Sequence, residues 1–145
     1  MGVKLAKTAG FCMGVKRAVD MVLDMVRQKG HGTIYTYGPL IHNPQTIELL
    51  RQRGIIPIRR LQEIEGVPAG AFMVIRAHGI SPGERNKIKE RGFRIIDATC
   101  PKVAHVQAII RKRARTGFTV LIAGDREHPE VNGLLGFAGG AGIVI

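Results

Sequence analysis

Short apolar runs alternate with helical patterns along all 145 residues, and this alternation is the strongest constraint on the fold. It is typical of strand–helix units whose strands pair in parallel. The predicted strands are Lys4–Ala6, Thr33–Tyr37, Ile55–Ile58, Phe72–Ile75, Arg94–Asp97 and Phe118–Ala123. The predicted helices are Gly14–Lys29, Pro44–Arg53, Pro82–Arg91, Pro101–Thr116 and Val131–Phe137, with a short helix at Leu61–Ile64. The sequence therefore predicts an α/β protein with mainly parallel sheets, built from repeated strand–loop–helix modules.

Four predicted strand ends share one pattern, in which a His or Cys follows the strand and a proline comes within four residues. The four segments are Gly38 to Pro44 with His42, Arg76 to Pro82 with His78, Ala98 to Pro101 with Cys100, and Gly124 to Pro129 with His128. Proline is favoured at the first helical position, where its missing N–H would be unpaired anyway. Asn43 and Ser81 are suitable N-caps, and Ser81 with Glu84 matches a capping box. Each tip therefore leads directly into a helix.

These tips are expected to meet in space. In open parallel sheets, ligands bind beyond the carboxyl ends of the strands, where the N-termini of the following helices also point. His42, His78, His128 and Cys100 should therefore share one rim of the sheet. Free N–H groups and positive helix ends gather at such a rim, which suits a phosphate group.

The histidines also have a simpler interpretation, since a single loop histidine is ordinarily just exposed to solvent. Taken together at equivalent positions, His42, His78 and His128 are better interpreted as anion ligands. His31, in a glycine-flanked turn, and His105, inside a predicted helix, do not fit the pattern, and we predict no role for them.

One acidic residue stands close to the predicted rim. Glu130 lies two positions after His128, near a predicted helix start. It is either a surface carboxylate that the helix dipole favours or a residue that carries protons to a ligand held by the histidines.

The two cysteines stand 88 positions apart, and each precedes a predicted helix. Cys12 lies between Gly10 and Gly14, where the backbone can approach a ligand closely. A helix N-terminus favours the thiolate, which suits metal ligation or nucleophilic attack; the alternative is a small buried apolar residue. Because no C-x-x-C pair is present, a metal centre shared by Cys12 and Cys100 is only a hypothesis at this point.

The net charge of +11 predicts an anionic partner, and nucleic acid, acidic lipid and phosphorylated metabolites all fit. The densest basic cluster, Arg111 to Arg115, falls late in a predicted helix and is interpreted as a solvated helix end. Without a leader or a long apolar run, we expect a cytoplasmic protein with no membrane association. A basic α/β module that binds phosphate or RNA without redox chemistry is the alternative function, although the scarcity of aromatic residues argues against nucleic acid as a partner.

Five short motifs occur in order along the chain: Gly10-Phe11-Cys12-Met13-Gly14-Val15, Ile41-His42-Asn43, Ala77-His78-Gly79, Asp97-Ala98-Thr99-Cys100-Pro101 and His128-Pro129-Glu130-Val131. Together they resemble the hydroxymethylbutenyl diphosphate reductase family, also called LytB or IspH. The resemblance implies three similar α/β modules around a central 4Fe–4S cluster. It implies that Cys12 and Cys100 are cluster ligands, that His42, His78 and His128 bind the substrate diphosphate, and that Glu130 delivers a proton.

The reaction implied by this resemblance is the reductive removal of the allylic hydroxyl from 4-hydroxy-3-methylbut-2-enyl diphosphate. The products would be isopentenyl and dimethylallyl diphosphates of the non-mevalonate pathway, with electrons from a ferredoxin or a flavodoxin. Residues 1–100 should form a complete first module and residues 101–145 an incomplete second one. The third module and the third cysteine are expected beyond Ile145, so the chain alone should not hold a stable catalytic cluster.

Overall fold

The computed structural model describes residues 2–7, 9–28, 33–68 and 70–145, and it confirms the predicted α/β class. The helices are α1 (Met13–Arg27), α2 (Pro44–Gln52), α3 (Pro82–Glu90), α4 (Pro101–Arg115) and α5 (Pro129–Ala138), with 3-10 helices at Leu61–Gly66 and Gly139–Ala141. The strands are β1 (Ile34–Tyr37), β2 (Ile55–Ile58), β3 (Phe72–Ile75), β4 (Arg94–Asp97), β5 (Val120–Ile122) and β6 (Gly142–Val144).

The strands form two parallel sheets. The larger one has the order β2-β1-β3-β4, and β1 lies between its two neighbours with Ile34 opposite both Ile55 and Phe72. The smaller sheet pairs β5 with β6. Because all four strands of the larger sheet run the same way, their carboxyl ends lie at one edge. The division into modules at residue 100 stays a prediction, although the larger sheet ends at Asp97.

Helices cover both faces of the larger sheet. Along β3, Val74 points into a cluster with Val22 of α1, whereas Met73 and Ile75 point into a separate cluster with Ile88 of α3. This follows from the alternation of side chains along a strand. Each of these buried aliphatic side chains contributes about 1.5–3 kcal/mol relative to an exposed one. Packing on both faces therefore holds the carboxyl edge of the sheet in place.

The helix starts after two of the tips are capped as predicted. Asn43 accepts a hydrogen bond from the Thr46 amide at 2.8 Å, and Ser81 forms a capping box with Glu84. A good N-cap stabilises a helix by roughly 1 kcal/mol. The chain therefore turns sharply from each strand end into a helix and leaves the tip residue at the edge of the sheet.

The first predicted strand, Lys4–Ala6, does not form. Its segment lies in irregular structure, with Val3 97% and Leu5 91% exposed, and no described strand pairs with it. Alternating apolar residues form a strand only when a neighbouring strand satisfies the backbone and one face is buried.

The other differences concern the bounds of elements. The predicted strand Phe118–Ala123 shortens to β5, and the helix predicted at Val131 starts two residues earlier, at Pro129. The short helix predicted at Leu61–Ile64 is a 3-10 helix that continues to Gly66. The predicted helix stop at Gly30 and the turn residue His31 lie outside the described residues.

Candidate functional site

Backbone hydrogen bonds join three of the loops at the carboxyl edge. The Ala77 amide donates to the Leu40 carbonyl at 3.4 Å, and the Ala77 carbonyl accepts from the Cys100 amide at 2.9 Å. Ala77 therefore ties the loop that carries His42 and the loop that carries Cys100 to its own loop, which carries His78. The three tips are held side by side without any help from their side chains.

The three predicted histidines lie together at this edge. The ring centroids of His42 and His78 are 4.6 Å apart, those of His42 and His128 are 5.7 Å apart, and those of His78 and His128 are 5.5 Å apart. One ring nitrogen from each lies within 4.8 Å of the others. The shared rim predicted for these residues is therefore present, and His105, which was predicted to have no role, is exposed on α4.

His128 reaches the cluster because α5 packs closely against the His78 loop. A Cβ atom built on Gly133 would come 3.9 Å from the His78 carbonyl oxygen, and one on Gly136 would collide with Ser81. Glycines three residues apart share one face of a helix, so the helix backbone itself meets the loop. The start of α5, with His128 as its N-cap, is thereby brought to the edge of the larger sheet.

The imidazole of His128 has a defined tautomer. Its Nδ1 accepts a hydrogen bond from the Glu130 amide at 3.2 Å and so caps α5. A ring nitrogen that accepts carries no proton, so in the neutral ring the proton sits on Nε2. His128 therefore presents an N–H donor, which suits a phosphate oxygen. Glu130 is half-buried and lies in the first turn of α5.

His78 is neutral at pH 7. Burial, followed by the nearby charges of His42, Arg76 and His128, lowers the pKa of this half-buried imidazole to about 4. Its Nδ1 is buried and has no hydrogen-bond partner in the described part of the chain. A buried polar atom without a partner is costly, so a ligand that supplied one would be favoured here.

The depressed pKa of His78 predicts a pH dependence of folding stability. The unfolded chain protonates this residue near pH 6.5, whereas the folded chain does so only near pH 4. Its contribution to the free energy of unfolding is thus complete above pH 6.5 and is lost as the pH falls toward 4. Urea unfolding measured at pH 6.5 and at pH 4 should therefore show a smaller decrease in the free energy of unfolding between these two pH values in His78→Gln than in the wild type. His105→Gln, at an exposed position of α4, should keep the wild-type dependence; equal losses in all three proteins would contradict the assignment.

The two cysteines lie on neighbouring helix starts. Cys12 is the exposed N-cap residue of α1, and Cys100 is the partly buried N-cap residue of α4. A Cβ built on Gly14, in the first turn of α1, would come 2.5 Å from the Cys100 Sγ, so the two turns are in close contact. Arg17 adds a hydrogen bond of 3.2 Å to the Thr99 carbonyl. Both thiols therefore border the region that holds the histidines.

One charged residue of this region was missed by the sequence analysis. Arg76, which directly follows β3, is half-buried, and its guanidinium lies against Gly38. The sequence offers no distinctive signal for it, because Arg59 likewise directly follows the apolar strand β2. The ring spacing of the histidines would also admit a metal ion. The fixed positive charge of Arg76 and the positive ends of the surrounding helices oppose a cation and favour an anion.

Fold and site together define a parallel α/β protein with three clustered histidines and two cysteines on neighbouring helix starts. Comparison with known proteins is more specific. The LytB protein family matches residues 3–145, and the chain belongs to this family, as the resemblance of its motifs implied.

The 4-hydroxy-3-methylbut-2-enyl diphosphate reductase of Opitutus terrae is 44% identical over 100% of this chain and 52% of its own length. A solved reductase of that name, described as the terminal enzyme of the non-mevalonate pathway, has a TM-score of 0.82 and 38% identity; the match covers 97% of this chain and 49% of the other. The Plasmodium falciparum E-1-hydroxy-2-methyl-but-2-enyl-4-diphosphate reductase has a TM-score of 0.88 and 31% identity, over 96% and 42%. The chain thus spans about half the length of the relatives it matches.

Proposed function

We propose that this chain takes part in the reductive dehydroxylation of 4-hydroxy-3-methylbut-2-enyl diphosphate to isopentenyl and dimethylallyl diphosphates. The observation that carries the proposal is the meeting of three imidazoles and two thiol-bearing helix starts at one edge of a parallel sheet. Relatives that match the chain over nearly its whole length bear the name of this reductase.

The histidines would anchor the diphosphate. His128 offers an Nε2–H donor, and His78 has a buried nitrogen without a partner. Helices α2, α3 and α5 each begin within four positions of one of these histidines along the chain, and their N-termini add backbone N–H groups. The diphosphate takes no part in the chemistry, so it serves to hold the carbon skeleton in a fixed place beside the thiols.

The cysteines fit an iron–sulfur cluster, which the family is known to bind. Cys12 and Cys100 are free thiols at helix N-termini, where the thiolate form that ligates iron is favoured. When bound, a 4Fe–4S cluster supplies electrons one at a time and a Lewis-acidic iron for the allylic hydroxyl. The chain has two cysteines, so completing the coordination needs a ligand from outside these 145 residues. A ferredoxin or flavodoxin is the proposed electron donor.

Glu130 would hold the proton that leaves with the hydroxyl as water. It lies in the first turn of α5, and its amide is bound to the ring of His128. In the described part of the chain its carboxylate forms no ion pair. The group is thus free to exchange a proton with a ligand held by the histidines.

The test is the binding of inorganic pyrophosphate by this chain, measured by calorimetry at pH 7. His42→Ala, His78→Ala and His128→Ala should each weaken binding by about tenfold, since a hydrogen bond to a charged group contributes about 1.5–3 kcal/mol. His105→Ala, on the exposed face of α4, should bind as the wild type does. The proposal would be contradicted if the wild-type chain did not bind pyrophosphate, or if none of the three substitutions weakened its binding.

A further inference from the structure

Arg76 is a half-buried cation with no counter-charge at ion-pair distance among the residues that the structure describes. Among the described residues, the three ion pairs are Lys16–Asp20, Arg27–Asp24 and Arg85–Asp97, and none of them involves Arg76. Its Nε is buried and has no hydrogen-bond partner there either. Partial burial of a charge without an ionic partner costs free energy, because the charge loses some of its hydration. A bound anion near the guanidinium would offset that cost.

The guanidinium is held in place by its surroundings. It lies against Gly38, where a Cβ atom would collide with it and where the backbone adopts a φ of +77°. Glycine is therefore needed at position 38 both for the turn and for the space that Arg76 fills. Because Gly38 follows β1 and Arg76 follows β3, the charge sits at the carboxyl edge that carries the histidines.

The Glu84 carboxylate acts on the charge of Arg76 but is already engaged in other contacts. Glu84 accepts from the Tyr37 hydroxyl at 3.2 Å and from the Ser81 amide and hydroxyl at 2.9 and 2.8 Å. Those bonds cap α3 and fasten it to β1, and burial together with the Glu84 carboxylate raises the pKa of Tyr37. Glu84 therefore acts on Arg76 only through space and does not neutralise it by contact.

We infer that Arg76 is a further residue of the anion site, where its fixed positive charge attracts the diphosphate that the neighbouring imidazoles bind by hydrogen bonds. This inference rests on the proposed function. His78 is neutral at pH 7, so an imidazole N–H can orient a phosphate oxygen but contributes little net charge. Arginine stays protonated in proteins and supplies a charge that does not depend on pH. In this role Arg76 acts at a distance and positions the ligand without touching it.

The experiment compares pyrophosphate affinity at low and high NaCl for the wild-type chain, Arg76→Gln, Arg76→Met and Arg76→Lys. At low salt, loss of one partly buried charge should weaken binding by roughly tenfold and flatten its dependence on salt. Arg76→Lys keeps the charge and should stay within about threefold of the wild type. Arg51→Gln is the matched control, because Arg51 lies in the last turn of α2, at the end away from the histidines, and it should leave the affinity unchanged.

The outcomes separate this inference from the proposed function. Failure of the wild-type chain to bind pyrophosphate would contradict both the proposed function and the role of Arg76. If the wild-type chain binds pyrophosphate and the Arg76→Gln and Arg76→Met variants bind it equally well, only the role of Arg76 is contradicted. Arg76→Met keeps an aliphatic stem over Gly38, so one uncharged variant remains measurable if the other misfolds. A ligand-free NMR titration gives a second readout: the protonation midpoint of His78 should rise in the uncharged variants, and an unchanged midpoint would overturn the inference.

Discussion

Replacing Cys100 by serine should lower the iron and sulfide bound after anaerobic reconstitution by at least about tenfold. The reconstitution should include a small thiol such as 2-mercaptoethanol, because the chain itself has only two cysteines. Loss of a direct ligand is expected to exceed the 10–100-fold loss of metal affinity seen for changes in outer-shell partners. Cys12→Ser should have the same effect, since Gly14 in the turn after Cys12 lies against the Cys100 sulfur.

Two comparisons make this result specific to the thiols. His105→Gln should take up as much iron and sulfide as the wild type, and without the added thiol the wild-type chain should hold no stable cluster. If the serine variants bound pyrophosphate and incorporated iron and sulfide as the wild type does, the redox assignment would be wrong. A basic phosphate- or RNA-binding module would then be the better description of the chain.

Glu130→Gln should reduce turnover of 4-hydroxy-3-methylbut-2-enyl diphosphate by roughly a hundredfold or more when these 145 residues are tested within a full-length, cluster-loaded reductase supplied with a chemical reductant. The glutamine keeps the shape of the side chain but has no proton to give, and loss of a general acid costs about 10²–10⁴ in rate. Because the proposed ligands of the diphosphate are the histidines and not Glu130, KM should change by less than about threefold.

Glu127→Gln is the matched control for Glu130. Glu127 is an exposed acidic residue three positions earlier in the same connection, and its removal should leave turnover unchanged. A purely structural role of Glu130 at the start of α5 would instead appear as a loss of about 0.3–1 kcal/mol in the free energy of unfolding, with turnover intact. That combination would show that another group delivers the proton.

Local signals in the sequence were enough to predict most of the sheet. β2, β3 and β4 have the predicted bounds, because each is a short apolar or β-type run bounded by turn residues, although only β3 lies inside the sheet and β2 and β4 are its edges. Lys4–Ala6 failed because a strand also needs a neighbour, and its apolar side chains stay exposed. Helix starts followed their caps at Asn43 and Ser81, whereas His128 acts as a cap through a ring nitrogen that no simple sequence rule anticipates.

The site was only partly predictable from the sequence. The tip pattern pointed to His42, His78 and His128, and parallel strands of one sheet send the first two to the same edge. His128 follows a strand of the smaller sheet and joins them because α5 packs on the His78 loop. Arg76 was missed because its importance depends on a missing partner and on the space over Gly38, which are properties of the folded chain. The closeness of Cys12 and Cys100 likewise depends on how α1 and α4 pack, not on their spacing along the chain.

The hydrogen bond from the Glu130 amide to the His128 ring links acid–base state to local order. A proton added to Nδ1 would turn that acceptor into a donor facing another donor, so the first turn of α5 would lose its cap whenever the imidazole became a cation. The helix would then fray at its first turn, ahead of the positions where Gly133 and Gly136 pack its backbone onto the His78 loop. Loss of that cap would therefore loosen the contact of α5 with the larger sheet and expose the Glu130 amide to hydrogen exchange with solvent.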